Sequence, residues 1–165
     1  MNRIKYIDFV VIALTLVGAL GLIGYVTPKV ISPLSDMSTT NSSVLFAFDK
    51  ANTIMIDDNL EFSSPEIIHA ENNLVVSLKP GVYYWKIKGI TESIVHKLNI
   101  VSDVELKLES SGQNDSQYEV TNAGNVPLNV EIYNNSNLEN NITLLAGNSA
   151  NSSGTLFIGR ENGTA

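Results

Sequence analysis

Three carboxylates, Asp57, Asp58 and Glu61, fall close together in the segment IDDNLEFSSP, with Asp49 a little upstream. Spaced oxygens on a loop are what calcium takes, about six to eight of them. The run lacks the alternating Asp-x-Asp-x-Asp-Gly order of a dedicated calcium loop. Asp and Asn are also ordinary turn residues that bond their own backbone. The simpler reading is a turn, with calcium as the weaker alternative. The two histidines, His69 and His96, stand apart in sequence. Zinc would require further nitrogen, sulfur or carboxylate ligands, and no such set assembles. His96 falls on the inward side of an alternating run, where a core or edge histidine is expected. A hydrolytic triad needs a serine activated by a histidine, and there is no Gly-x-Ser-x-Gly elbow. Neither a Gly-x-x-x-x-Gly-Lys loop nor a Gly-x-Gly-x-x-Gly turn is present for phosphate. The expectation is therefore no catalytic residue, no cofactor and no enzyme activity.

Modification is a different kind of chemistry. Asn41, Asn114, Asn134, Asn141, Asn151 and Asn162 each open an Asn-x-Ser/Thr triplet, the acceptor pattern for N-linked glycan on an external face. Loops rich in asparagine and serine also produce such triplets by chance. Most of the six fall in segments expected to be loops. Tyr83, Tyr84 and Trp85 could line a sugar or peptide site. Alternation puts Tyr83 and Trp85 inside, which leaves Tyr84 as a surface contact and favours core packing for the others.

The elements that position these residues begin with an apolar one. Phe9 to Val26, FVVIALTLVGALGLIGYV, carries no charge. A bilayer crossing takes roughly 17–25 such residues as a helix. Arg3 and Lys5 precede the run, and Lys29 follows it. The excess of basic residues on the amino-terminal side places that end in the cytoplasm and the rest of the chain outside the cell membrane. A cleaved secretory signal is the rival reading. Its apolar core is shorter, about 7–15 residues, and ends in a small-x-small site, whereas this run passes into GYVTPKVISP. Gly18, Gly21 and Gly24 thin one stripe of the helix, which can seat a partner helix. Glycine is also simply common in such helices.

The chain has 165 residues and no cysteine. An external region without disulfides relies on its hydrophobic core, and thiol chemistry is excluded. The net charge of −7 argues against nucleic acid, which requires a basic face, and against electrostatic docking on anionic lipid.

Beyond the helix, TPKVISPLSDMSTTNSS has no periodicity and holds two prolines, which reads as a linker. Extended, it would reach about 50 Å. From Val44 the pattern switches to period two. Val44, Phe46 and Phe48 alternate, then Ile54 and Ile56, then Leu74, Val76 and Leu78. Tyr83, Trp85 and Ile87 follow, and then Ile94, His96, Leu98 and Ile100. Short alternating runs broken by Asp-Asp-Asn, Ser-Ser-Pro, Asn-Asn and Pro-Gly predict about six or seven half-buried strands, as in a β-sandwich. A second block opens with Val104, Leu106 and Leu108, then Tyr118 and Val120, the turn NAGN, and Leu128, Val130 and Ile132. Weaker strands are predicted at Ile142–Leu145 and Thr155–Ile158. About five strands is a small set for independent folding.

IDDNLEFSSP followed by SLKPGVYYWKIKG (Ser77 to Gly89) resembles the fibronectin type III-like modules of microbial surface proteins. The resemblance implies that Leu78 packs under a corner and that Pro80 and Gly81 make its turn. It further implies that Tyr83 is the corner tyrosine and that Trp85 is central core. TNAGNVPLNVEI (Thr121 to Ile132) resembles immunoglobulin-like repeats of archaeal and bacterial envelope proteins. Both resemblances imply binding, spacing or assembly roles.

The expected fold is mainly β, with one amino-terminal transmembrane helix and one or two small antiparallel β-sandwiches. The expected organisation is a cytoplasmic stub (1–7), a helix (8–27), a stalk (28–43), a first sandwich (44–102), a second (103–160) and a tail (161–165). The expected role is a membrane-anchored, non-catalytic, extracytoplasmic one: cell-envelope structure, adhesion or an accessory subunit. A pilin-like filament subunit and a carbohydrate-binding module are the alternatives, although NRIKYIDFVV lacks the Gly-Phe site and glutamate of pilins. Expected partners are the lipid bilayer and an envelope protein or glycan that the sequence does not specify. A homo-oligomer stays open, and no nucleic acid is expected.

Overall fold

The computed structural model describes residues 2–110 and 117–163. One helix, α1 (Asn2–Val26), precedes fourteen strands. The chain is mainly β, with several antiparallel sheets and one apolar helix of membrane-spanning length.

Tyr6–Val26 of α1 is strongly apolar, with Asp8 its one charged residue, and none of its described side chains is buried against the rest of the protein. A helix satisfies every interior backbone group within itself, as a segment in lipid must. The hydroxyl of Thr15 follows the same logic, donating back to the carbonyls of Val11 and Ile12 at 3.0 and 2.9 Å. Pro28 enforces the stop, since proline disfavours helical backbone in the residue before it. The helix begins at Asn2, so it runs through the segment expected as a stub.

The segment expected as an unstructured stalk is the first correction. It carries β1 (Lys29–Ser32) and β2 (Met37–Thr39). In β1 only Val30 and Ser32 turn inward, and Ile31 is exposed. So short an edge strand leaves almost no periodicity to read. β1 pairs antiparallel with β3 (Ser43–Asp49), and β6 (Asn73–Ser77) completes a sheet of order β1-β3-β6. The second sheet adds β4 (Ala51–Asp57), β5 (Glu66–His69), β7 (Gly81–Gly89) and β8 (His96–Ile100). Its order is β2-β8-β7-β4-β5. Phe46 meets Trp85 edge to face across the sheets, with centroids 5.0 Å apart and planes at 84°. Such a pair contributes about 0.5–1.5 kcal/mol beyond its buried area. Phe46, Ile54, Trp85, Ile87 and Leu98 are fully buried, as alternation predicts. Ile94 is not: it lies outside β8 and is 76% exposed.

The later strands form two three-stranded sheets. One has order β13-β10-β9, from β9 (Leu106–Ser110), β10 (Gln117–Asn122) and β13 (Ser149–Ser153). The other has order β12-β11-β14, from β11 (Leu128–Asn134), β12 (Asn137–Leu144) and β14 (Leu156–Glu161). Val120, Val126, Leu128, Val130, Ile132 and Leu144 form their core. Tyr118 and Phe157 meet edge to face at 5.5 Å across the sheets. Val104, which precedes β9, and Leu108 within it, both expected inside, are about half exposed; β9 is the outer strand of its sheet. β13 reads SANSS and offers no apolar alternation, so its pairing with β10 is not visible in sequence.

By proximity the chain divides into two compact units. One comprises Met1–Asp36, Leu45–Val75 and Tyr83–Leu98; the other comprises Met37–Val44, Val76–Val82 and Asn99–Ala165.

Candidate functional site

The carboxylates are placed first by the β4–β5 turn. Asp57 is buried and accepts backbone N–H bonds from Asn59 at 3.1 Å and Ser64 at 2.9 Å, one on each oxygen. These bonds, Ser64's foremost, hold its carboxyl below the usual range despite burial. Asn59 extends the scaffold, accepting from the amide of Glu61 and donating to the Ser63 hydroxyl. Asp58 is exposed, and so is Glu61. Among the described residues no three acidic or histidine side chains gather as a metal cluster. The turn is built by Asp57 and Asn59, whose side-chain oxygens accept its backbone N–H groups.

The histidines lie apart. His69 Nδ1 is 3.2 Å from the Thr53 hydroxyl on the neighbouring strand. His96 stacks on Trp85 at 4.8 Å. Burial pushes its imidazole below the ordinary value, and Asp36 pulls weakly the other way. Trp85 Nε1 and His96 Nδ1 are buried without a hydrogen-bond partner. No serine is placed against either histidine by a hydrogen bond among the described residues.

The residues singled out by the fibronectin-like resemblance lie before and along β7. Leu78 is buried and donates its N–H to the Ser42 carbonyl at 2.8 Å. Pro80 lies in a bend, Gly81 opens β7, Tyr83 is half-buried and Trp85 is fully buried. Tyr84 is half-buried too, so it offers less surface than expected.

The asparagine sites need a correction. Asn134, Asn141 and Asn151 lie in strands rather than loops. Asn134 already donates its amide to Glu139 at 3.1 Å. Asn41 and Asn162 lie outside strands and are exposed, while Asn114 lies outside the described residues. Asn41 accepts from the Ser43 amide, which leaves its Nδ2 nitrogen uncommitted by that bond.

The strongest polar constellation lies in the turn NAGN, where the sequence predicts only a turn. Asn122 is fully buried; its Nδ2 donates to the carbonyls of Val126 and Leu144 at 2.8 and 3.0 Å, and its Oδ1 accepts from Gly124. Asn125 accepts from the Asp103 amide at 2.7 Å and donates to the carbonyls of Thr40 and Val101 at 2.6 and 2.8 Å. Gly124 packs its bare backbone on the Asp103 carbonyl, where a Cβ has no room. A groove of about 350 Å³ lies over this turn, lined by Thr40, Asn41, Asp103 and Asn125 among others. Two asparagines bracketing Ala-Gly were the available signal. Amides and carbonyls of this kind fix backbone; they supply no nucleophile or proton-transfer group.

At the carboxyl end of α1 a different surface forms. Lys50 Nζ sits 5.1 Å from the centroid of the Tyr25 ring, and the Thr91 hydroxyl donates to the Val26 carbonyl at 3.5 Å. Tyr6 and Tyr25 are the exposed aromatic residues at the two ends of the apolar span. At about 1.5 Å per residue they lie about 28 Å apart, close to a hydrocarbon core of about 30 Å.

No family model matches this chain, and no curated protein matches it. Among solved structures, it is similar to one described as a biofilm associated protein, BSP domain. The identity is 18% and the TM-score 0.31, over 82% of this chain. The chain spans 27% of the length of that structure.

Proposed function

We propose that the protein is a single-pass, membrane-anchored, non-catalytic component of a cell envelope. The amino terminus is cytoplasmic and the β region lies outside, serving structure, adhesion or assembly. The observation that carries this reading is the uncovered apolar span Tyr6–Val26, with tyrosines at both ends at bilayer spacing. Arg3 and Lys5 ahead of it support the orientation. We take two sandwiches, the first built on residues 44–102 with β1 and β2 added at its sheet edges and fibronectin type III-like, the second on 103–160. The three- and five-stranded sheets and the buried Leu78 and Trp85 support that assignment. The sheet edges are the natural contact surfaces for a partner strand.

The test is protease added to intact cells, combined with alkaline extraction of their membranes. The expected result is loss of the β region to protease and retention of a fragment of the helix in the membrane pellet. Protection of the β region in sealed cells would overturn the orientation, and release by alkali would overturn the anchor. A pilin-like subunit remains the second reading because α1 is continuous from Asn2 and no part of its apolar span is covered. Amino-terminal sequencing separates the two, since a trimmed, methylated terminus belongs to a pilin.

A further inference from the structure

The structure removes the stalk, and that fixes what faces the lipid. Lys29 opens β1 only three positions after Val26 closes the helix, a distance of at most about 11 Å. β1 is already in a sheet there, with Lys29 opposite Asp49. The end of the first sandwich carrying the β3–β4 turn therefore lies at the carboxyl end of the helix. The register Ala51↔Gly89 puts the start of the β7–β8 loop beside that turn, and Gly89 packs bare backbone on the Lys50 carbonyl. Thr91 of the loop reaches the last helical carbonyl, and Lys50 lies over Tyr25. At this point the loop presents Ile90, 82% exposed.

Ile90 is the most exposed large hydrophobic side chain among the described residues. A lone exposed isoleucine is ordinary on a protein surface, and it is its place at the carboxyl end of the apolar helix that gives this one a lipid neighbour. The loop's acid is neutralised locally: Glu92 pairs with Lys86 at 2.8 Å and Lys88 at 3.6 Å. Lys50 and Glu71, which share a shallow groove with Ile90, are opposite in sign. The surface is thus apolar at its tip and near neutral around it, which suits the headgroup boundary of a bilayer. We infer that Ile90 inserts into the interface of the outer leaflet and, with Tyr25 and Lys50, seats the first sandwich directly on the membrane. This rests on the membrane-anchor reading above. It adds that the β region is held against lipid rather than raised from it.

The full chain has no cysteine, so single-cysteine variants carry a fluorophore sensitive to polarity at one site each. Ile90→Cys, Leu14→Cys and Leu60→Cys are compared in phosphatidylcholine nanodiscs holding one copy of the protein. Leu14 lies within the helix, and Leu60 is exposed beyond the far end of β4. The expected result is blue-shifted emission at Ile90→Cys, quenched by nitroxide at a shallow acyl position and protected from iodide. Leu60→Cys should show the reverse, and Leu14→Cys should be quenched by deep nitroxide. Iodide quenching at Ile90→Cys with Leu14→Cys still in lipid overturns the inference and leaves the anchor standing. If Leu14→Cys is not quenched by lipid nitroxide, the anchor itself fails and the inference with it. Shielding of Ile90→Cys only in discs with two copies makes the occupant a second copy and also overturns it. A readout on the unsubstituted chain guards against misfolded variants. A lipid bearing a diazirine near its glycerol should label the tryptic peptide Gly89–Lys97, and an unlabelled peptide counts against the inference.

Discussion

The two groups of sheets, β1–β8 and β9–β14, solve the same problem with different materials. The first centres on aromatic rings: Trp85 meets Phe46 edge to face and stacks on His96. It leaves two ring nitrogens buried without partners. The second is filled by Val, Leu and Ile, and its one fully buried polar side chain, Asn122, has its amide and carbonyl all engaged. Large rings supply area and dispersion contacts that outweigh an orphaned nitrogen. Small aliphatic residues supply less, so a buried amide there must be fully satisfied.

Substitutions sharpen that contrast. Trp85→Ala should have the largest effect, about 3–5 kcal/mol, read as a shift in the urea midpoint. A loss below about 1 kcal/mol would mean that the ring cluster is not the centre of the first core. Asn122→Ala strands the carbonyls of Val126 and Leu144, at about 1–3 kcal/mol for each group left unsatisfied. A change no larger than that of an exposed asparagine would make the second core indifferent to its amide. His96→Phe keeps a ring on Trp85 and removes a titration. The folded imidazole lies below its ordinary 6.5, so below that pH the unfolded chain binds a proton that the folded one refuses. Wild-type stability therefore falls as pH drops from about 6.5 towards the folded value, and His96→Phe should flatten that limb. Parallel curves for the two proteins over that window would contradict the assignment. The smallest effect is expected in the β11–β12 hairpin. Asn135 and Ser136 both adopt left-handed backbone, φ 50° and 70°, the requirement of a type I′ turn. Ser136→Gly relieves a steric conflict at the second position and should stabilise by about 0.4–1 kcal/mol, raising the melting temperature slightly.

What could be read in the sequence follows the same division. Large alternating residues made β3, β4, β6, β7 and the buried half of β8 legible, and the uncharged run made the helix so. Strands held by partners rather than by their own apolar faces escaped. β1 and β2 lie in a proline-containing stretch. β13 has only Ala150 and Ser152 turned inward, and the first half of β12 is polar and exposed. Leu108 shows the converse: the alternation was real, but an outer strand has little to bury against. The asparagine hub was illegible for another reason. Asn125 is an ordinary turn residue until Thr40 and Val101 are brought to it, and no local pattern announces partners that distant.

That distance has a consequence for biogenesis. The Asn125–Thr40 bond joins residues separated by 85 positions. At about 5–20 residues per second of translation, Thr40 waits about 4–17 s for its partner to be made. Until then the strand-forming stretch behind the helix is a nascent chain with its closing clasp still unsynthesised, and a chaperone has that interval in which to hold it.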